Sequence, residues 1–473
     1  MSRRRCSAST GSPTPWCSRC RIRVPGRWSP RSSNPSPATG RPAPASCGCG
    51  RTRCSPARTG RGAGSGPNAC RARRPVSRPG SRSPGTRSRA GWHALSEIPV
   101  VVAARRTPIT VKGGALARLG AADLAAPVIQ ACVDDAARAT GSTGPVGDVV
   151  LGNCMGPGGN IARVSALAAG LDVAVPGMTV DRQCGSGLAA IMTAAEAIRA
   201  GDGRLRVAGG VESTSTAPTR TANGVSYARA PFAPPGHPDP DMVRAAQDLA
   251  VHDRITRARQ DAYAARSHRL AVRTRAMGGF ADELVRLDGA PADDGPRERI
   301  PKMLNRFPAL FPDAADGGTV TAGNSCRDSD GAAAVAIVPA GARGDAPGLA
   351  ILATTTVGCD PALPGLGAVA AVESLGLDLA DVAAIEIVEA FAAQTLAGLT
   401  RLGLAGGADV DPRVCADGGA LALGHPWAAS AAVSVVRLFS RLVRSGAPAG
   451  TLGLATAAVG GGLGVAALFQ VVR

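Results

Sequence analysis

The sequence predicts an α/β protein with buried strands, built as two similar halves around a polar insert and preceded by a basic tail. Three observations carry this expectation. From residue 98 onward, apolar runs of four to six residues alternate with Ala-rich stretches of helical period, the pattern of strands covered on both faces by helices. A strand, a reactive residue, a helix and a further strand follow one another in both halves. The first 95 residues, finally, share none of this texture.

Residues 1–95 hold 20 of the chain's 53 basic side chains, all Arg, and no Asp or Glu, leaving 33 basic residues against 35 acidic ones in the remainder. The formal charge of +18 is thus a basic tail joined to a nearly neutral body. A basic patch with interleaved aromatics would suggest a nucleic-acid partner, but the body has none and its only lysines are Lys112 and Lys302, so no nucleic acid is expected to bind it. The tail's 13 prolines and lack of apolar periodicity predict disorder, since such a segment cannot bury enough surface to offset its chain entropy. An organelle transit peptide would share the Arg and Ser content, yet prolines this frequent break the amphipathic helix it needs. With 51 Arg against two Lys, a GC-rich coding sequence and a start assigned upstream of the true one are expected. Mass spectrometry of the native N-terminus tests this, and peptides from within residues 1–90 would refute it.

Seven cysteines lie in the tail and six in the body. The tail's Cys17 and Cys20 form one C-x-x-C, without the second well-spaced pair that a zinc site requires. The body has no such spacing and no signal peptide precedes it, so a reducing cytoplasm is expected rather than a disulfide framework.

In chain order, strands are predicted at 99–103, 148–151, 178–180, 205–208, 333–338, 349–355, 384–388, 452–455 and 465–471. Helices are predicted at 121–139, 187–200, 364–375, 392–402 and 429–445. No stretch has the length and flanks of a membrane span. The more polar segment 218–318 reads as an inserted, mainly helical lid. The expected divisions are therefore a tail at 1–95, a first half at 96–217 and 319–342, the insert at 218–318, and a second half at 343–473.

The repeat places one reactive side chain at each strand-to-helix junction. Cys184 stands in V-D-R-Q-C-G-S-G-L-A-A-I. There, free N–H groups and the positive end of the following helix would stabilise a thiolate and lower its pKa, and Gly185 and Gly187 permit close approach of a ligand. A buried structural cysteine is the competing reading. His425 stands in D-G-G-A-L-A-L-G-H-P-W-A-A-S, framed by backbone-shaping residues, and a neutral imidazole can take a thiol's proton. A helix cap or satisfied core residue would also explain it, whereas His237, His252 and His268 in the polar insert read as solvated. The glycines after Thr456 (Gly460, Gly461, Gly462 and Gly464) suit either an oxyanion hole shared with the Cys184 N–H or an ordinary tight turn.

Eight ordered motifs decide between these readings. They are A-A-R-R-T-P-I from Ala103, C-G-S-G-L from Cys184, A-G-G-V-E-S from Ala208, G-T-V-T-A-G-N from Gly318, D-G-A-A-A from Asp330, E-A-F-A-A-Q from Glu389, G-G-A-L-A-L-G-H-P from Gly418 and the final glycine run. Along nearly all of residues 98–473 the chain resembles the thiolase family. The resemblance implies two similar α/β halves in five layers, helix, sheet, helix, sheet, helix, with a loop domain that binds coenzyme A. It implies a homodimer or homotetramer, acyl-CoA and CoA as substrates, and no metal or redox cofactor. It assigns Cys184 as the acyl-carrying nucleophile, His425 as its base, the backbone N–H groups of Cys184 and Gly460 as oxyanion donors, and Cys326 and Phe391 as substrate-binding residues.

Departures fall at the same site. The family's second cysteine is Ala458, the Asn of its N-E-A-F motif is Val388, and Cys326 stands where a serine is usual. Trp427, Ala428 and Ala431 alter the family's G-H-P-x-G-A-S-G run. Alanine cannot move a proton, so acyl-enzyme chemistry is expected to survive better than Claisen condensation. The expectation is a thiolase-type acyl-CoA C-acyltransferase. Acyl transfer to another acceptor, or a non-catalytic acyl-CoA-binding subunit, are the alternatives. A decarboxylating ketosynthase does not fit, because neither His nor Asn occupies position 388.

Overall fold

The computed structural model describes residues 98–142, 144–314, 317–407 and 409–473; the expectations for residues 1–95 lie outside them. In the first half, β1 (Pro99–Arg106), β2 (Thr110–Val111), α1 (Ala121–Thr140), β3 (Val146–Gly152), α2 (Ile161–Ala168), β4 (Gly177–Val180), α3 (Ser186–Arg199) and β5 (Leu205–Glu212) follow in order. The insert carries a hairpin, β6 (Arg220–Ala222) and β7 (Val225–Tyr227), then α4 (Met242–His252) and α5 (Arg257–Ala276), before β8 (Ser329–Pro339) returns to the first half. The second half comprises β9 (Gly348–Gly358), α6 (Gly367–Ser374), β10 (Val382–Ile387), α7 (Ala392–Arg401), β11 (Ala405–Gly406), β12 (Asp409–Val410), α8 (Ala420–Leu423), α9 (Trp427–Leu438), β13 (Leu452–Val459) and β14 (Leu463–Val472).

The strand order β10-β13-β14-β9-β1-β8-β5-β3-β4 is that of two sheets written end to end. Numbered within its own half, the first reads third, second, fourth, fifth, first. The second half repeats this order, with the single parallel bridge between Ile385 and Val414 in place of its third strand. The two copies join where β1 meets β9 antiparallel, through Val100 with Ala350 and Val101 with Leu349.

Burial explains the apolar runs. Along β8, Ala333, Val335 and Ile337 enter the core shared with α3 and α9, while Ala332, Ala334, Ala336 and Val338 enter the core under α1 and α2. Successive side chains point to opposite faces, so a strand covered on both sides loses its polar alternation. On the far side, Ala466 and Leu468 of β14 face the core built with α6 and α7, and Val465, Ala467 and Phe469 face α3 and α9. The resulting layers are α1 and α2, the first sheet, α3 with α9, the second sheet, and α6 with α7: the five-layer thiolase fold. At the centre the two helices touch closely, and a Cβ on Gly187 would lie 2.8 Å from the Ala428 carbonyl oxygen. This contact sets the two strand-to-helix junctions side by side.

Buried charge fastens the insert to the body. Arg106 donates through Nε to Glu283 at 2.7 Å and through Nη1 and Nη2 to Asp293 at 2.7 and 2.9 Å. Arg437 from α9 also pairs with Glu283.

Candidate active site

Cys184 sits in a single tight turn, Gln183–Gly185, immediately before α3. The turn is built by side chains: Ser186 Oγ donates to the Gln183 carbonyl and accepts from the Arg182 N–H, both at 2.7 Å, and Asp181 accepts from the Gln183 N–H at 2.9 Å. Gln183 adopts a left-handed φ of 43°, a conformation that costs an ordinary residue energy and persists only where surroundings enforce it. The strain thus falls on the residue before the nucleophile candidate, not on the glycines after it.

His425 is the other half of the contact. Its Nε2 lies 3.2 Å from Cys184 Sγ, and its Nδ1 lies 2.6 Å from Ser430 Oγ on the first turn of α9. The His425 backbone N–H donates to the Arg327 carbonyl at 3.0 Å, which fixes the turn against the run entering β8. A ring held at Nδ1 by a hydroxyl presents Nε2 in one orientation, as a thiol-activating base requires.

Burial dominates the electrostatics. It pushes the Cys184 thiol up to about 12; its own backbone N–H opposes this, and the nearby Glu212 and Asp181 carboxylates reinforce it. Burial also lowers His425 to about 4. The resting pair is therefore a neutral thiol beside a neutral imidazole. The lowered thiol pKa expected from the helix terminus is not met, because desolvation outweighs the backbone donors.

Glu212, at the end of β5, was not singled out by sequence. Its buried carboxylate accepts from the N–H groups of Cys154 at 3.1 Å, Met155 at 3.0 Å and Ala428 at 3.4 Å, and from Asn153 Nδ2 at 3.1 Å. It thereby ties the loop after β3 to the start of α9. Burial raises its pKa to about 7 despite these donors. The signal available was the E of A-G-G-V-E-S: an acid ending an apolar strand. Ser430 was equally visible, as the serine five residues beyond the histidine.

The remaining candidates lie around this pair. Gly460 follows Val459, whose side chain would be 2.9 Å from a Cβ on Gly185, and the ring of Phe232 from the insert covers Gly460. Val388 is buried and lines a pocket that Ser430 and Ser434 also line. Ala458 is half-buried on β13 opposite Gly464. Phe391 caps the start of α7 and pairs with Ser325, and the Cys326 N–H donates to the Ala390 carbonyl at 2.9 Å. Cys154 meets Ser186 Oγ at 3.6 Å, whereas Cys359 lies beyond the glycine turn, its N–H on the Gly462 carbonyl at 2.7 Å.

A duplicated five-layer α/β fold with a cysteine and a histidine at its two central junctions defines an acyltransferase of the thiolase class acting on acyl-CoA. Comparison with known proteins agrees. Residues 99–341 match the thiolase N-terminal domain and residues 347–471 the thiolase C-terminal domain. The chain belongs to the thiolase family. VraB of Staphylococcus haemolyticus, assigned as an acetyl-CoA C-acetyltransferase, is 40% identical over 392 residues, which cover 78% of this chain and 98% of VraB. The crystal structure of the Bacillus anthracis acetyl-CoA acetyltransferase superposes with a TM-score of 0.70 at 32% identity, covering 79% of this chain and 99% of that one. Human mitochondrial 3-ketoacyl-CoA thiolase gives 0.70 at 30% identity, covering 80% of this chain and 100% of that one.

Proposed function

We propose that Cys184 carries the acyl group as a thioester and that His425 moves the proton that makes this possible. The observation that carries the reading is the 3.2 Å contact between Sγ and Nε2. Because both groups rest neutral, the thiol proton passes to Nε2 as sulfur attacks the acyl carbonyl. The imidazolium then returns it to the departing CoA thiolate. The N–H groups of Cys184 and Gly460 face the developing oxyanion, where such donors contribute most. Phe391 and Cys326 line the substrate side, and residues 218–318 form the CoA-binding loop domain between halves at 96–217 with 319–342 and at 343–473.

Acetyl-CoA, the substrate in the names of VraB and the Bacillus anthracis enzyme, is the first acyl donor to test. Val388 and Ala458 favour acyl transfer over carbon–carbon bond formation, since one lacks the amide that would hold a water and the other lacks a thiol. The experiment is exchange of labelled CoA into acetyl-CoA, which needs only acyl-enzyme formation and reversal. Exchange by the wild type that is abolished in C184S and reduced in H425N supports the reading. Exchange that persists in C184S rejects it.

We also propose a homodimer formed through the free edge at β4. Among the described residues this strand ends the sheet with nothing paired to its outer side, and Val164, Leu167, Val173 and Met178 around it are 39–78% exposed. An uncovered edge beside apolar side chains is a template for pairing with another copy; a homotetramer would need a further contact. Light scattering showing a monomer would exclude this. No helix among the described residues is long and apolar enough to cross a membrane; a reducing cytoplasm suits a protein whose site depends on a free thiol.

A further inference from the structure

We propose that Cys326 is a second catalytic residue of this site, the thiol that hands a proton to the substrate's α-carbon in place of the one Ala458 lacks. This rests on the acyl-enzyme reading of Cys184. Residues 325–328 bridge the two parts of the site: Ser325 pairs with Phe391, the Cys326 N–H donates to the Ala390 carbonyl, and the His425 N–H donates to the Arg327 carbonyl. Asp328 pairs with His425 in a parallel bridge. Bridged partners point the same way and residues two apart along an extended run share a face, which puts Cys326 on the side of His425.

Two further observations set its thiol apart from the other cysteines. Cys132, Cys154, Cys359 and Cys415 each direct sulfur at an oxygen, and Cys184 meets His425. Among the described residues no other residue's side chain or backbone is hydrogen-bonded to the Cys326 thiol, which its own N–H alone reaches and which is half-buried rather than sealed in the core. Burial raises its pKa, and proximity to Cys184 and Asp328 adds to the rise. Cys326 therefore stays protonated through the neutral range, as a proton donor in thiolysis must.

In that direction His425 takes the Cys184 proton and Sγ bonds to the 3-keto carbon. The bond between the α- and 3-carbons breaks, and its electron pair forms the enolate of the departing acetyl-CoA. Cys326 protonates the α-carbon and is left as thiolate. Incoming CoA gives its thiol proton to Cys326 and attacks the acyl thioester. Cys184 leaves as thiolate and recovers its proton from the His425 imidazolium. Condensation runs the same steps in reverse.

The test compares acetoacetyl-CoA thiolysis with acetyl-CoA/CoA exchange in the wild type, C326A and the double variant C326A with A458C. Loss of a positioned proton donor lowers turnover by about 10²- to 10⁴-fold, so C326A should lose thiolysis by that factor while exchange falls far less. A458C should restore part of the loss. Thiolysis retained in C326A, parallel loss of both reactions without rescue, or a wild type that exchanges but never cleaves would each overturn the role of Cys326. A wild type without exchange would instead overturn the reading of Cys184.

Discussion

Cys184 and His425 stand 241 residues apart in the chain and 3.2 Å apart in space. The duplication makes this possible: each residue ends a junction in its own half, and the close packing of α3 on α9 brings the junctions together. What the pair can do depends on groups that touch it without reacting.

Ser430 orients the imidazole. Its Oγ lies 2.6 Å from Nδ1, and losing a hydrogen bond to a group that becomes charged costs roughly 1.5–3 kcal/mol. S430A should slow Cys184 acylation by about ten- to a hundredfold, with little change in the KM for acetyl-CoA. Stopped-flow acylation measures this, and a KM effect alone would contradict it.

The pH dependence has a definite sign. His425, lowered to about 4 by burial, stays neutral throughout the range in which a free histidine titrates, so acylation should show no acid limb near pH 6.5. Glu212, raised to about 7, is charged at pH 8 and largely neutral at pH 6. Its negative charge disfavours the Cys184 thiolate, so E212Q should be alkylated by iodoacetamide faster than wild type at pH 8, with the difference closing by pH 6. Equal rates at both values would show that the carboxylate exerts no such field.

Gly210 admits α9. A Cβ there would lie 2.2 Å from the Ala428 carbonyl oxygen, a backbone atom three residues from His425. G210A should destabilise the protein by about 1–3 kcal/mol and lower exchange by displacing the histidine turn. Urea denaturation paired with the exchange assay tests both effects; unchanged exchange would mean the turn accommodates the shift.

The ion cluster under the insert predicts a larger penalty. Arg106 is fully buried between Glu283 and Asp293, and removing one partner of a buried pair costs roughly 3–5 kcal/mol. R106A should lose stability of that order. Burial alone would raise the Glu283 pKa, but Arg437 and Arg106 outweigh it and hold it below the ordinary value. Its contribution is therefore present above the unfolded carboxylate pKa and lost as pH falls through the lower folded value. Denaturation of R106A with a midpoint matching wild type would contradict this.

Much of this was legible because buried strands announce themselves. All nine predicted strands are present, most of them extended by a few residues where polar ends such as Glu212 and Ser329 continue the pairing, while the one predicted at 384–388 stops at Ile387. The helix foreseen at 429–445 begins at Trp427 and passes at Phe439 into a π-helical turn with i→i+5 bonding. Helix α2 was missed because its short apolar face lies among glycines, with Val164 and Leu167 left exposed. At the site, motif order pointed to Cys184 and His425, and the structure sets them in contact. Gln183 and Ser430 lie within five residues of the reactive pair and Glu212 ends a quoted motif, but their roles were not foreseen, because the turns that build them and the distant donors that meet Glu212 appear only in the folded chain. The thiol pKa was misjudged for a related reason: sequence reveals the helix terminus that lowers it but not the packing that raises it.

The central claim is a covalent one, and mass spectrometry reads it directly. Incubated with acetyl-CoA and quenched in acid, the wild type should gain one acetyl group, mapped by digestion to Cys184 and absent from C184S; H425N should acquire it far more slowly. An unmodified Cys184 in protein that demonstrably binds CoA, or an acetyl group on another residue, would contradict the account.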